Sequence, residues 1–241
     1  MSKNIIILQH IPIETPGYIL DLMKKDKFKI TTIELDQGEK IPENLNSYDA
    51  MFCMGGPMDT WMEEEYPWLI DEKNKIKEYV INLKKPYLGF CLGCQLLGEV
   101  LGGKVIKSNP PEIGILDIYM KDEKNFDKLF SEYPEKIKAL QWHSYEVAEL
   151  EKNKDIKILG SSPTTKYQIF KYMDHAYGIQ FHIEIKKDTV SQWSCVPEYE
   201  KALEESLGTG ALEKFDENAQ SNMTLMNKSA EILYKNFKNI I

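Results

Sequence analysis

Two cysteines, Cys91 and Cys94, share the stretch GFCLGCQ (89–95), where an apolar run, KPYLGF, meets the start of a helical stretch. One reading is a C-x-x-C pair for redox chemistry or metal binding. The other is a single nucleophile beside a bystander. Gly89, Phe90, Cys91, Leu92 and Gly93 spell G-x-C-x-G, the cysteine version of a strand–turn–helix nucleophile elbow. Such a turn projects the nucleophile above the carboxyl edge of a sheet. The helix N-terminus behind it offers N–H groups to a developing negative charge. Taken alone, the same pattern would also fit a buried structural cysteine next to a helix-packing glycine.

Two further stretches bear on the choice. In YGIQFHIEI, His182 and Glu184 lie two apart on an expected β-strand, on one face and roughly 6.5–7 Å apart along it. A carboxylate so placed can hold one imidazole nitrogen while the other faces a thiol, the nucleophile–base–orienter chain of a triad. Without a thiol nearby, the pair would read as the polar face of an edge strand. In MFCMGGPM, Gly55 and Gly56 end the third expected strand, where sites form in a doubly wound sheet. Backbone N–H groups there, with the amide of Leu92, would make an oxyanion hole. By itself, GGP is a turn.

GGP, then GFCLGCQLLGEVLGG, then QFHIE together resemble the class I (triad) glutamine amidotransferases, over about residues 50 to 185. The family's elbow reads G-x-C-L-G-x-Q, and every fixed position is matched. The resemblance implies that Cys91 attacks the γ-carbonyl of glutamine or a γ-glutamyl compound. His182 would act as base and then acid, with Glu184 orienting it, and a γ-glutamyl thioester would be hydrolysed to glutamate. Gly56 and Leu92 would supply the oxyanion hole. Gly55 and Gln95 would line the substrate pocket, together with His143, Ser144 and Tyr145 of QWHSYEV. The family's usual H-P-E is H-I-E here, with Ile183 in place of proline.

The resemblance extends to a branch of small stand-alone members, on QHIPIETPGYI and the Trp193 region. The leading expectation is therefore a hydrolase of the γ-glutamyl bond of glutamine or of a γ-glutamyl amine or peptide. The alternative is a glutaminase subunit delivering ammonia to a separate synthase partner, since 241 residues leave no room for a synthase domain. A third reading, from another class, is a thiol redox or binding protein using Cys91 and Cys94.

The elements that must position these residues read as one α/β domain over 1–241, with a core to about 185 and a helical extension over about 186–241. β-rich runs (KNIIILQ, FKITTIEL, DAMFCM, KPYLGF) alternate with helical stretches (PGYILDLMKK, and Tyr66 to Lys84), the pattern of βαβ units. This implies an open, mostly parallel, doubly wound, flavodoxin-like sheet. The second half is β-rich with short connections: VIKSN, GILDIYM, IKALQW, IKILGSS, YQIFKYM and YGIQFHIE. Helix is expected again from Ile185 to about Ala202 and from Ala219 to Ile241, with EKFDENAQSN (213–222) as an exposed loop.

A net charge of −8 argues against a general nucleic-acid binder. All 30 basic residues are lysine, so no guanidinium fork is available for an anionic substrate group. No apolar run approaches the roughly 20 residues of a membrane span, and the N-terminus lacks the pattern of a secretory signal. A cytoplasmic protein without a cofactor is expected, with homo-oligomerisation left open. The four cysteines and four histidines never fall into paired ligand spacings, so no metal is expected. His10 is expected to pack or cap, His175 to sit exposed in a turn, and Cys53 to fill the core. Cys195 and Trp193 are expected to pack within the extension. The acidic run after GGPM is expected to be a solvated helix start, and Glu63, Trp142 and Trp193 to surround the leaving group.

Overall fold

The hydrophobic sequence of the first strand explains the layering. In the computed structural model, which describes residues 2–241, β1 (Asn4–Gln9) is buried on both faces. Ile5 and Ile7 face one apolar cluster while Ile6 and Leu8 face another. A strand covered on both sides needs a continuous apolar run rather than an alternating one. Helices α1 (Gly17–Lys25) and α6 (Leu212–Phe237) supply the first cover, through Ile19, Met23 and the α6 residues below. Helices α2 (Trp68–Lys77) and α3 (Leu92–Val100) supply the second.

Four more strands lie parallel around β1: β2 (Lys29–Glu34), β3 (Ala50–Cys53), β4 (Tyr87–Phe90) and β9 (Ala176–Ile179). The remainder are antiparallel: β5 (Lys104–Met120), β6 (Lys136–Ala148), β7 (Ile156–Ser161) and β8 (Ile169–Tyr172). One nine-stranded sheet results, in the order β2-β1-β3-β4-β9-β8-β7-β5-β6. Its parallel part has the 2-1-3-4 order of flavodoxin-like sheets, so the carboxyl ends of β1, β3 and β4 meet at the switch point where such folds hold ligands. Residues 104–120 form one long strand where the sequence suggests two, interrupted in register between Lys107 and Glu112.

The tail departs from expectation. It holds α4 (Thr189–Trp193), α5 (Pro197–Leu207) and α6, and EKFDENAQSN lies inside α6 rather than in a loop. Its polar composition hides a helical stripe: Phe215, Ala219, Met223, Met226, Ala230, Leu233 and Phe237 recur every three or four residues and are buried. His175 also differs, being half-buried and hydrogen-bonded to the Val80 carbonyl (2.9 Å). Among the described residues, no helix is long and apolar enough to cross a membrane.

Candidate active site

Cys91 occupies the junction of β4 and α3 with φ +48° and ψ −102°, a left-handed conformation for a residue with a side chain. Such a conformation costs about 1–3 kcal/mol and must be held by its surroundings. The Cys91 amide donates to the Ile179 carbonyl (2.9 Å), Gly93 N–H to Met54 O (3.1 Å), and Gln95 N–H to Cys91 O (3.0 Å). Gly93 permits the close approach: a Cβ there would lie 2.2 Å from the Cys53 carbonyl oxygen. The elbow thus rests on β3 and β9 at once. Among the described residues, the amides of Leu92 and Gly56 donate to no other group of the chain.

His182 and Glu184 lie beyond the end of β9, not within a strand; His182 makes an isolated bridge to Leu140 of β6. The bridge fixes the segment instead: His182 N–H donates to Leu140 O (2.9 Å) and Leu140 N–H to His182 O (3.0 Å). The His182 Nδ1 meets Glu184 Oε1 at 2.6 Å, with both side chains 2% exposed. Glu184 Oε2 accepts from the Ile183 amide at 2.9 Å, a donor that proline at this position would lack. Tyr18 N–H of α1 donates to the Glu184 carbonyl (2.6 Å). Burial alone would lower the His182 pKa, but the Glu184 carboxylate and hydrogen bonds with Cys91 and Glu184 outweigh it and hold the pKa well above the usual imidazole value.

Cys91 opens into a cleft of about 210 Å³ that also touches Gly56, Gln95, His143, Ser144 and Tyr145. Gly55 lies behind it rather than on its wall. The Gln95 amide donates to Tyr145 O (3.0 Å) and Gln180 Oε1 (3.3 Å), tying α3 to β6. His143 bonds Tyr145 O through Nδ1 (2.9 Å) and Glu112 through Nε2 (3.2 Å). Its ring therefore braces the segment at Ser144 and Tyr145. Trp142 lines the cleft, whereas Glu63 is turned to Lys73 in an ion pair of 2.7 Å. Trp193 stands against His182.

Sequence reasoning missed two residues on one side of this cleft. Tyr199 of α5 lines it and donates from its hydroxyl to Glu14 Oε1 (2.6 Å). Glu14 is 2% exposed in the loop after β1, and its Oε2 finds no partner among the described residues. Burial pushes its pKa up, and the charge of His182 and the Tyr199 hydrogen bond only partly counter this. A buried carboxyl four residues after His10 carries no periodic signal, and Tyr199 sits in a tail whose docking is purely tertiary. Asp59 and Glu198 also border the cleft.

All four cysteines are free. Cys94 is fully buried, and that burial pushes its thiol pKa well up, the opposite of what a redox partner requires. Behind the glycines, His10, Cys53 and Glu72 bring ligand-type atoms within 4.8 Å of one another. They are joined by hydrogen bonds, Glu72 Oε1 meeting His10 Nε2 at 3.0 Å and the Cys53 thiol at 3.2 Å.

The family model for class I glutamine amidotransferases matches residues 18–192. The glutamine-hydrolyzing subunit of GMP synthase from Sulfolobus acidocaldarius is 35% identical over 149 residues, 61% of this chain and 73% of that protein. A glutamine amidotransferase from Thermotoga maritima superposes with a TM-score of 0.86 at 26% identity, covering 98% of each chain. A glutamine amidotransferase from Methylobacillus flagellatus, at 20% identity and TM-score 0.85 over 100% of this chain and 96% of that one, shares the fold. With the matched region running from α1 through the elbow to α4, the chain belongs to the class I glutamine amidotransferase family.

Proposed function

We propose that this protein is a glutaminase that hydrolyses the side-chain amide of glutamine on Cys91 and delivers ammonia to a synthase carried by a separate chain. The chemistry follows from the geometry. His182 takes the Cys91 proton as the sulfur attacks the γ-carbonyl, and Glu184 balances the imidazolium that results. The oxygen gathers negative charge within reach of the Gly56 and Leu92 amides. His182 then returns its proton to the departing nitrogen, leaving a γ-glutamyl thioester and ammonia. Water, deprotonated by His182, releases glutamate.

The observation that carries this reading is the strained Cys91 at the β4–α3 junction beside an imidazole bonded to Glu184 at 2.6 Å. The partner rests on likeness to proteins named as glutamine-hydrolyzing GMP synthase subunits. The experiment is to follow glutamate release from glutamine by wild type and Cys91→Ala, with and without proteins purified on the tagged chain. Wild-type hydrolysis that rises with a co-purified synthase supports the reading; hydrolysis by Cys91→Ala contradicts it.

One feature favours a second reading, hydrolysis of a γ-glutamyl amine or peptide without any synthase. Ser144, Tyr145, Glu198 and Ala202 border both the Cys91 cleft and a wider groove of about 950 Å³, which offers room for a leaving group larger than ammonia. A panel of γ-glutamyl amines separates the two: a kcat/KM well above that for glutamine would support this second reading.

A further inference from the structure

His10 follows β1 fully buried, and its chemistry is unusually constrained for a packing residue. Its Nδ1 lies 2.8 Å from the Gly55 carbonyl oxygen, and because a carbonyl can only accept, Nδ1 carries a proton and donates it. Its Nε2 meets Glu72 Oε1 at 3.0 Å, with both side chains wholly inaccessible. The Trp68 ring stacks on the imidazole with centroids 5.5 Å apart and planes 27° apart, which fixes the ring's tilt. The chain Glu72–His10–Gly55 therefore runs from α2 past the end of β1 to the end of β3.

Gly55 C=O and Gly56 N–H belong to one planar trans peptide, in which carbonyl and amide point in opposite directions. A donor that holds the carbonyl on one side therefore holds the amide on the other. Gly56 lies close against His10, where a Cβ would come within 2.9 Å of the His10 Cβ, and on its far side it borders the cleft with Cys91. With no other partner among the described residues, its N–H is free for the substrate. Glycine dipeptides are the backbone units most able to rotate, so an oxyanion donor placed on one needs an external hold.

We propose that His10, held by Glu72, is a positioning residue for the reaction: it locks the Gly55–Gly56 peptide with the Gly56 amide facing the oxygen that becomes negative as Cys91 attacks. This rests on the glutaminase reading above. It also explains why a buried ion pair is built behind a Gly-Gly turn, where apolar side chains would pack without the desolvation cost.

The test compares two reactions of the same thiol. Glutamine hydrolysis develops an oxyanion; alkylation of Cys91 by iodoacetamide, a displacement at carbon, does not. His10→Ala is expected to lower kcat for glutamine roughly 10- to 100-fold, approaching the loss of an oxyanion donor, with KM changed less than about two-fold. The alkylation rate of Cys91 should stay within about two-fold of wild type on the same reasoning. His10→Asn, whose side-chain amide can still donate to Gly55, should recover most of kcat, and Glu72→Gln should fall between. Parallel loss of hydrolysis and alkylation, or a raised KM with kcat retained, would overturn the proposal. If His10→Ala does not fold, Asn and Gln variants with unchanged kcat would overturn it equally. A wild-type protein whose hydrolysis survives Cys91→Ala would instead overturn the underlying reading, and the proposal with it.

Discussion

The Trp193 indole stands edge-on to the His182 imidazole, ring centroids 4.6 Å apart and planes at 72°. The same indole meets Trp142 of β6 and Tyr199 of α5 at 6.0 Å each, and Trp142 in turn meets Phe215 of α6 at 4.9 Å. The helices after Ile185 are thus fastened to the imidazole by an aromatic cluster, and Trp142 Nε1 closes it by donating to Tyr199 O (3.1 Å).

Removing that contact should damage stability and activity together. Trp193 is 3% exposed, so Trp193→Ala is expected to cost about 3–5 kcal/mol in urea unfolding. Its kcat should fall more than that of Trp193→Phe, which keeps an aromatic edge against His182. Equal kcat in the two variants would show that the contact does not position the imidazole.

Glu184→Gln removes the charge that keeps His182 protonated. The burial that remains favours the neutral ring, so the His182 pKa should drop from well above its usual value to below it. Nitrogen-15 NMR of the imidazole at about pH 7.5, between those two limits, should show a protonated ring in wild type and a neutral ring in the variant. A ring protonated in both would mean that Glu184 is not what sustains the charge.

Much of the site is legible in the sequence because it depends on local turns. G-x-C-x-G, the GGP turn and the His-x-Glu spacing each specify short backbone segments, and the parallel sheet brings their ends together. What the sequence hides is set by tertiary docking. EKFDENAQSN reads as loop by composition, yet Phe215 and Ala219 find the sheet face beside α1 and make it helix. Glu14 and Tyr199 meet across 185 positions of chain, a separation that no spacing rule reaches. The His182 segment alternates as a strand does, but only Leu140 pairs with it.

The Glu14–Tyr199 pair gives a coupling that can be measured. Tyr199→Phe removes the hydroxyl that donates to the buried Glu14 carboxyl, at a cost of about 1–3 kcal/mol. Glu14→Gln alone should cost less, since an amide carries no charge to desolvate. The double variant should be more stable than the sum of the two losses implies. Strict additivity in urea unfolding would show that the two groups do not act on each other.

Acid stability should depend on Glu112. Burial would raise its pKa, but hydrogen bonds from His143, Ser162 and Thr164 prevail and bring it to about 2 from an ordinary 4.5. A lowered carboxylate stabilises the fold above its unfolded value and loses that contribution as pH falls through the window. Wild type should therefore lose up to about 3 kcal/mol between about pH 4.5 and 2 through this group, and Glu112→Gln should show a flatter acid limb. Identical acid limbs in denaturant titrations would contradict the assignment.

The central claim is a γ-glutamyl thioester on Cys91. Rapid acid quench of the protein turning over glutamine, followed by peptide mass spectrometry, tests it most directly. The expected result is a single γ-glutamyl group on the peptide that holds Cys91, removed by hydroxylamine and absent from Cys91→Ala. A glutamyl group on any other residue, or glutamate release by Cys91→Ala at the wild-type rate, would contradict it.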